Sequence, residues 1–186
     1  APGQTPEPAA RTVIRKKICL LGSFAVGKTS LVRQFVHSIF SERYHTTLGV
    51  KIDKKDVEVG YDDGTSRAVK LVLWDVQGED RFQSIPASYF RGSSGLLLVA
   101  DGTRPATLDT ALELAERASS SVGRDVPMRL LLNKVDLAER WETSAEALLA
   151  RADETLAPRV TSAKSGAGVD DSFRSLARAM LAEDRA

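Results

Sequence analysis

Cysteine is nearly absent from this chain: Cys19 is the single one among 186 residues. An internal disulfide is therefore excluded. Cys19, placed in the apolar run from Ile18 to Leu21, is expected to pack as a small hydrophobe. Such a chain suits a reducing, cytoplasmic compartment. Long hydrophobic runs are missing too. No stretch approaches the ~20 apolar residues that cross a bilayer, and the N-terminus lacks the charged-then-apolar order of a secretory signal, so the chain reads as soluble. Net charge is close to nil, since 26 basic and 25 acidic residues leave +1. The cations are scattered rather than gathered into a stripe, which argues against nucleic acid as the main partner. Internal repeats are lacking as well.

What remains is enough for one globular body. The length and a hydrophobic content of 42% allow a single full-sized core. Residues 1–11 hold three prolines and no apolar period, and are expected to be a disordered leader or a cloning remnant ahead of one domain over 12–183. Strand-length apolar runs recur at 13–21, 69–74, 95–100 and 128–132, and read as buried strands of a mostly parallel sheet. Ile52, Val57 and Val59 lie among charges, and the turn Tyr61-Asp62-Asp63-Gly64 follows them, which predicts a hairpin with an antiparallel edge strand. Leu108, Leu112 and Ala115, and later Val169, Phe173, Leu176 and Met180, recur at helical steps. This alternation predicts an α/β sandwich with helices on both faces of the sheet.

Directly after the first run comes GSFAVGKT, residues 22–29, a full match to the G-x-x-x-x-G-K-[ST] phosphate loop. Its glycines let the backbone curl so that the N–H groups of Ser23, Phe24, Ala25, Val26, Gly27, Lys28, Thr29 and Ser30 converge on phosphate oxygens. The following helix turns its positive end to the same anion. Lys28 is placed to reach the β- and γ-phosphates, and the Thr29 hydroxyl suits Mg²⁺, which prefers hard oxygen ligands. A chance Gly-Lys-Thr turn is the competing reading, disfavoured by the strand before and the helix after. The loop alone does not choose between ATP and GTP.

Further segments follow in order: FSERYHTTLGV at 40–50, WDVQG at 74–78, NKVD at 133–136 and TSAK at 161–164. Together with LGVKI, KLVLWD, DRFQSI, YFRGSSG and LLLVADGT they resemble the Ras superfamily of small GTPases, and locally the Rab proteins, over roughly 14–181. The resemblance implies a P-loop small G domain with a six-stranded, mostly parallel sheet. It also implies GTP or GDP as ligand, Mg²⁺ as cofactor, and hydrolysis of GTP by a molecular switch. Asp75 would hold Mg²⁺ through a water, with Thr29 and Thr47 as direct ligands. Asp136 and Asn133 would read guanine, Lys134 would lie along the ring, and Ser162, Ala163 and Lys164 would complete the base site. A carboxylate facing two adjacent N–H donors suits guanine and rejects adenine. Phe40 would pack edge-on to the base, and Tyr44 would close over the phosphates. Lys28, Thr47, Gly78 and Glu79 would form the catalytic set. Effector, exchange and activating proteins would contact the switch segments at 40–50 and 75–92, where Trp74 and Tyr89 match two aromatics that Rab effectors touch.

Several residues depart from that pattern. Glu79 stands where the family has its water-orienting glutamine, Gln77 replaces a small residue before Gly78, and Phe24 replaces a small residue where a partner's arginine finger approaches. Slow turnover is the expectation, since an ionised glutamate accepts hydrogen bonds but donates none to the γ-phosphate. Ile52 occupies a usual Phe position. The C-terminal segment has no cysteine for Rab-type double prenylation, so an anchorless protein or a trimmed tail is expected. The alternatives are a nucleotide-dependent binding module with little turnover, a Roc-like domain of a larger protein, or a P-loop kinase. NKVD and TSAK argue against the kinase.

Overall fold

The computed structural model describes residues 12–43, 46–78 and 85–184. Six strands run in the order β2-β3-β1-β4-β5-β6, where β1 is Ile14–Gly22, β2 Val50–Gly60, β3 Ser66–Val76, β4 Gly95–Asp101, β5 Met128–Asn133 and β6 Arg159–Val160. All neighbours pair in parallel except β2 with β3, so the expected antiparallel edge strand is β2. Its hairpin closes through residues 61–65, with the Tyr61 N–H donating to the Thr65 carbonyl at 2.8 Å and Gly64 at φ 84° supplying the left-handed turn position. β3 begins at Ser66, three residues before the apolar run, because an antiparallel partner satisfies backbone groups whatever the side chain.

Among the described residues, four α-helices, α1 (Lys28–His37), α2 (Ala106–Val122), α3 (Ala145–Leu149) and α4 (Val169–Glu183), accompany the sheet. Alternation along β1 divides the core. Ile18 and Leu20 point into a cluster with Phe35 of α1 and Phe173, Leu176 and Met180 of α4, while Cys19 and Leu21 point into a second cluster with Leu108, Ala111 and Leu114 of α2. Every residue of β4 is buried, as a central strand covered on both faces requires. Phe35 and Phe173 stack at 4.1 Å between centroids, locking α1 to α4. A Cβ at Gly95 would lie 2.7 Å from the Met180 sulfur, so a glycine there lets α4 settle on β4.

The buried face of α2 is broader than the expected Leu108, Leu112 and Ala115. It centres on Ala111, Leu114 and Ala118, and Leu112 is only half-buried. Small alanines on that face let the helix approach the sheet closely. No described helix is long and apolar enough to cross a membrane.

Candidate functional site

The sheet order turns at β1, whose neighbours β3 and β4 come later in the chain and lie on opposite sides of it. Open α/β sheets bind ligands outside the carboxyl ends of strands at such a point. Here a cavity of about 490 Å³ is walled by Phe24, Ala25, Gly27, Lys28, Thr29 and Ser30 from the phosphate loop. Phe40 and Thr47 line it from the following segment, Asp75 from β3 and Gly78 from just beyond it, Asn133 from the end of β5, and Lys134, Asp136, Ala163 and Lys164 from the loops after β5 and β6. The phosphate loop takes its curl from Gly27 at φ 107° and Ala25 at φ 61°. A Cβ at Gly27 would meet the Asn133 amide nitrogen at 2.3 Å, so the loop can pass Asn133 only as glycine.

Lys28 is 6% exposed, and its Nζ donates to the carbonyls of Gly22 and Ser23 at 3.1 and 3.0 Å. Burial pushes this ammonium down to about 8, opposed by the Asp75 charge and assisted by Arg104. α1 begins with no capping side chain and no acidic residue in its first turn. Its orphan amide donors and its dipole are thus left for an anion.

Beside the lysine, three oxygen groups from distant segments converge. The Thr29 hydroxyl donates to Asp75 Oδ2 at 2.6 Å, and lies 2.9 Å from the Thr47 hydroxyl. Asp75 is 1% exposed, and its Oδ1 has no hydrogen-bond partner among the described residues. Burial pushes its carboxyl up, against the Thr29 hydrogen bond and the Lys28 charge. An orphaned buried carboxylate oxygen beside two hydroxyls fits Mg²⁺ and its shell of waters.

The far wall is cross-braced. Asn133, 1% exposed, donates from Nδ2 to the Val26 carbonyl at 3.0 Å, while its Oδ1 accepts from the Thr161 hydroxyl at 3.1 Å. The Ser162 hydroxyl donates to Asp136 Oδ1 at 2.8 Å, which orients that exposed carboxylate. Lys134, at φ 71°, spans to the Ala25 carbonyl at 3.1 Å and to Asp101 Oδ2 at 2.8 Å. Burial pushes the Asp101 carboxyl up, but Lys134 and Thr103 outweigh it and hold the group below the ordinary carboxylate range.

Of the expected residues, Ser23, Val26 and Ser162 are not wall residues; they serve through a carbonyl to Lys28, a carbonyl to Asn133 and a hydroxyl to Asp136. Tyr44 and Glu79 lie outside the described residues. Sequence reasoning missed the Asp101–Arg104 clamp, in which Arg104 donates to Asp101 Oδ2 at 3.1 Å and to the Phe24 carbonyl at 2.8 Å. The available signal was an acid closing a wholly apolar strand. It also missed Arg33, Arg43 and Arg140 on the cavity wall.

Residues 17–182 match the Ras family. The chain is 31% identical over 169 residues to the Ras-related protein RabJ of Dictyostelium discoideum, a match covering 90% of this chain and 64% of that protein. It is 32% identical over 169 residues to Rab-10 of Caenorhabditis elegans, covering 90% and 81%. To the Ras-related protein RIC1 of Oryza sativa subsp. japonica it is 35% identical over 162 residues, covering 87% and 78%. With the phosphate loop, the sheet order and these likenesses in agreement, the chain belongs to the Ras family, as a Rab-like small GTPase.

Proposed function

We propose that this chain binds GTP or GDP with Mg²⁺, cleaves GTP slowly by in-line attack of water, and works as a switch through the segments at 40–50 and 75–92. The observation that carries this reading is the meeting of Thr29, Thr47 and Asp75, with an orphaned carboxylate oxygen, at the start of α1. Lys28 and the amides of residues 23–30 hold the β- and γ-phosphates, and the Gly78 N–H meets the γ-phosphate. Asp136 selects guanine, held in place by Ser162. The Ala163 N–H takes the base oxygen, Lys134 lies along the ring and Phe40 closes its edge. Mg²⁺, when bound, supplies positive charge to the β- and γ-phosphate oxygens. Residues 12–183 act as one G domain.

Glu79 accounts for slow turnover, because a carboxylate adds repulsion where the γ-phosphate gains charge. Phe24, 41% exposed on the cavity wall, obstructs the approach of a partner's arginine finger. Loss of the γ-phosphate loosens Thr47 and changes the surface offered to partners. These same residues favour a second reading, a binding module that holds GTP with little turnover.

The test is extraction of nucleotide from purified protein, followed by phosphate release from bound GTP in Mg²⁺. Guanine nucleotide with measurable release supports the enzyme, and tight GTP without release supports the binding module. Retention of ATP as strongly as GTP overturns both.

A further inference from the structure

Gln77 and Gly49 face each other just beyond the last ladder pair of the β2–β3 hairpin, Val50 with Val76. Both backbone polar groups of Gly49 are taken by this one residue. The Gly49 carbonyl accepts from the Gln77 backbone N–H at 2.8 Å, and the Gly49 N–H donates to the Gln77 side-chain Oε1 at 2.9 Å. The second bond falls to a side chain because Gly49, at φ 70°, turns its N–H out of the ladder direction. A small residue at this position leaves that N–H to water.

The fastening matters because little else holds the segment. Among the described residues, 46–49 are tied down by two side-chain hydrogen bonds: this one, and the 2.9 Å contact between the hydroxyls of Thr47 and Thr29. Leu48, between them, is 82% exposed and adds almost no packing. Thr47 is two residues from Gly49, a spacing short enough for one anchor to limit the excursion of the other.

We propose that Gln77 is a positioning residue, whose Oε1 clasps the first switch segment to the end of β3, keeps Thr47 beside Thr29 and Asp75, and so slows the escape of bound GTP. This rests on reading the cavity as a Mg²⁺–GTP site. The clasp acts through Thr47, and Thr47 retains nucleotide through the metal, so the effect of Gln77 requires the metal. A single neutral hydrogen bond with one half-exposed partner sets its scale at about 3- to 10-fold in rate.

The test compares wild type with Gln77→Met, which keeps length and bulk but lacks the acceptor, and with Gln77→Ala. Release of a fluorescent, non-hydrolysable GTP analogue is followed by stopped flow in excess Mg²⁺ and again in EDTA. Release about 3- to 10-fold faster from both variants in Mg²⁺ is expected, shrinking to less than about twofold in EDTA. Gln77→Glu retains an acceptor oxygen and is expected to release more slowly than Gln77→Met, a ranking that stands even if the alanine variant fails to fold. Equal rates for wild type and Gln77→Met in Mg²⁺ overturn the clasp. So does an acceleration undiminished by EDTA, which marks general loosening instead. A wild-type chain that takes up no GTP analogue overturns the Mg²⁺–GTP reading, and the clasp's role with it.

Discussion

Asn133 reaches across the nucleotide cavity and donates its amide to the carbonyl of Val26, 107 residues earlier in the chain, at 3.0 Å. The same side chain accepts from Thr161, so one buried group ties the phosphate loop, the end of β5 and the segment after β6. Asn133→Ala strands the Val26 carbonyl and the Thr161 hydroxyl in a dry interior. A loss of about 2–4 kcal/mol in unfolding free energy is expected, from two orphaned groups, together with weakened guanine nucleotide binding. Chemical denaturation and a nucleotide titration measure the two.

Asp136 is expected to set base choice. Asp136→Ala removes two charge-assisted hydrogen bonds to the guanine edge, so GTP affinity should fall by about 100-fold or more, while ATP affinity stays weak and nearly unchanged. Competition of the two nucleotides against a fluorescent GDP analogue checks this. An undiminished preference for GTP would remove Asp136 from the base site.

Turnover is expected to respond to Glu79→Gln. Replacing the carboxylate with an amide removes a repulsive charge and restores a donor, so single-turnover hydrolysis should rise, by about tenfold if the two gains together lower the barrier by ~1.4 kcal/mol. Quenched-flow phosphate release is the measurement, and an unchanged rate counts against Glu79 as the cause of slow turnover.

Cys19 provides a pH prediction. Burial raises its thiol to about 11, against the Lys17 charge, from an ordinary value of 9.0, and its Sγ donates to the Tyr89 carbonyl at 3.4 Å. A group whose folded pKa is raised contributes stability that is full below the unfolded pKa, so this share is lost as pH climbs from about 9 through 11. At pH 8 the thiol is both protonated and enclosed. A disulfide reagent should therefore label it only after denaturant is added, and rapid labelling of the native chain would contradict the burial.

The phosphate loop was legible because its requirements are local: glycines at fixed offsets, then a lysine and a hydroxyl, between an apolar run and a helix. The wholly apolar run of β4 announced a buried strand for a similar reason. The face of α2 was harder, since Leu112 and Leu114 carry identical chemistry, and it is the seating of the helix on the sheet that buries Leu114 and leaves Leu112 half-exposed. β6 is just two residues long and held by pairing with Leu131 and Leu132, so its own composition carried almost no strand signal.

By itself, then, the amino-acid order determined the α/β layering through periodicity, the phosphate loop through short-range backbone geometry, and the family through the resemblance of its motifs. Only the tertiary structure decided which residues touch: Asn133 with Val26, Arg104 with Phe24, and Gln77 with Gly49. Those pairings join segments far apart in the chain, and buried or half-buried polar groups choose their partners only once the sheet has brought the loops together.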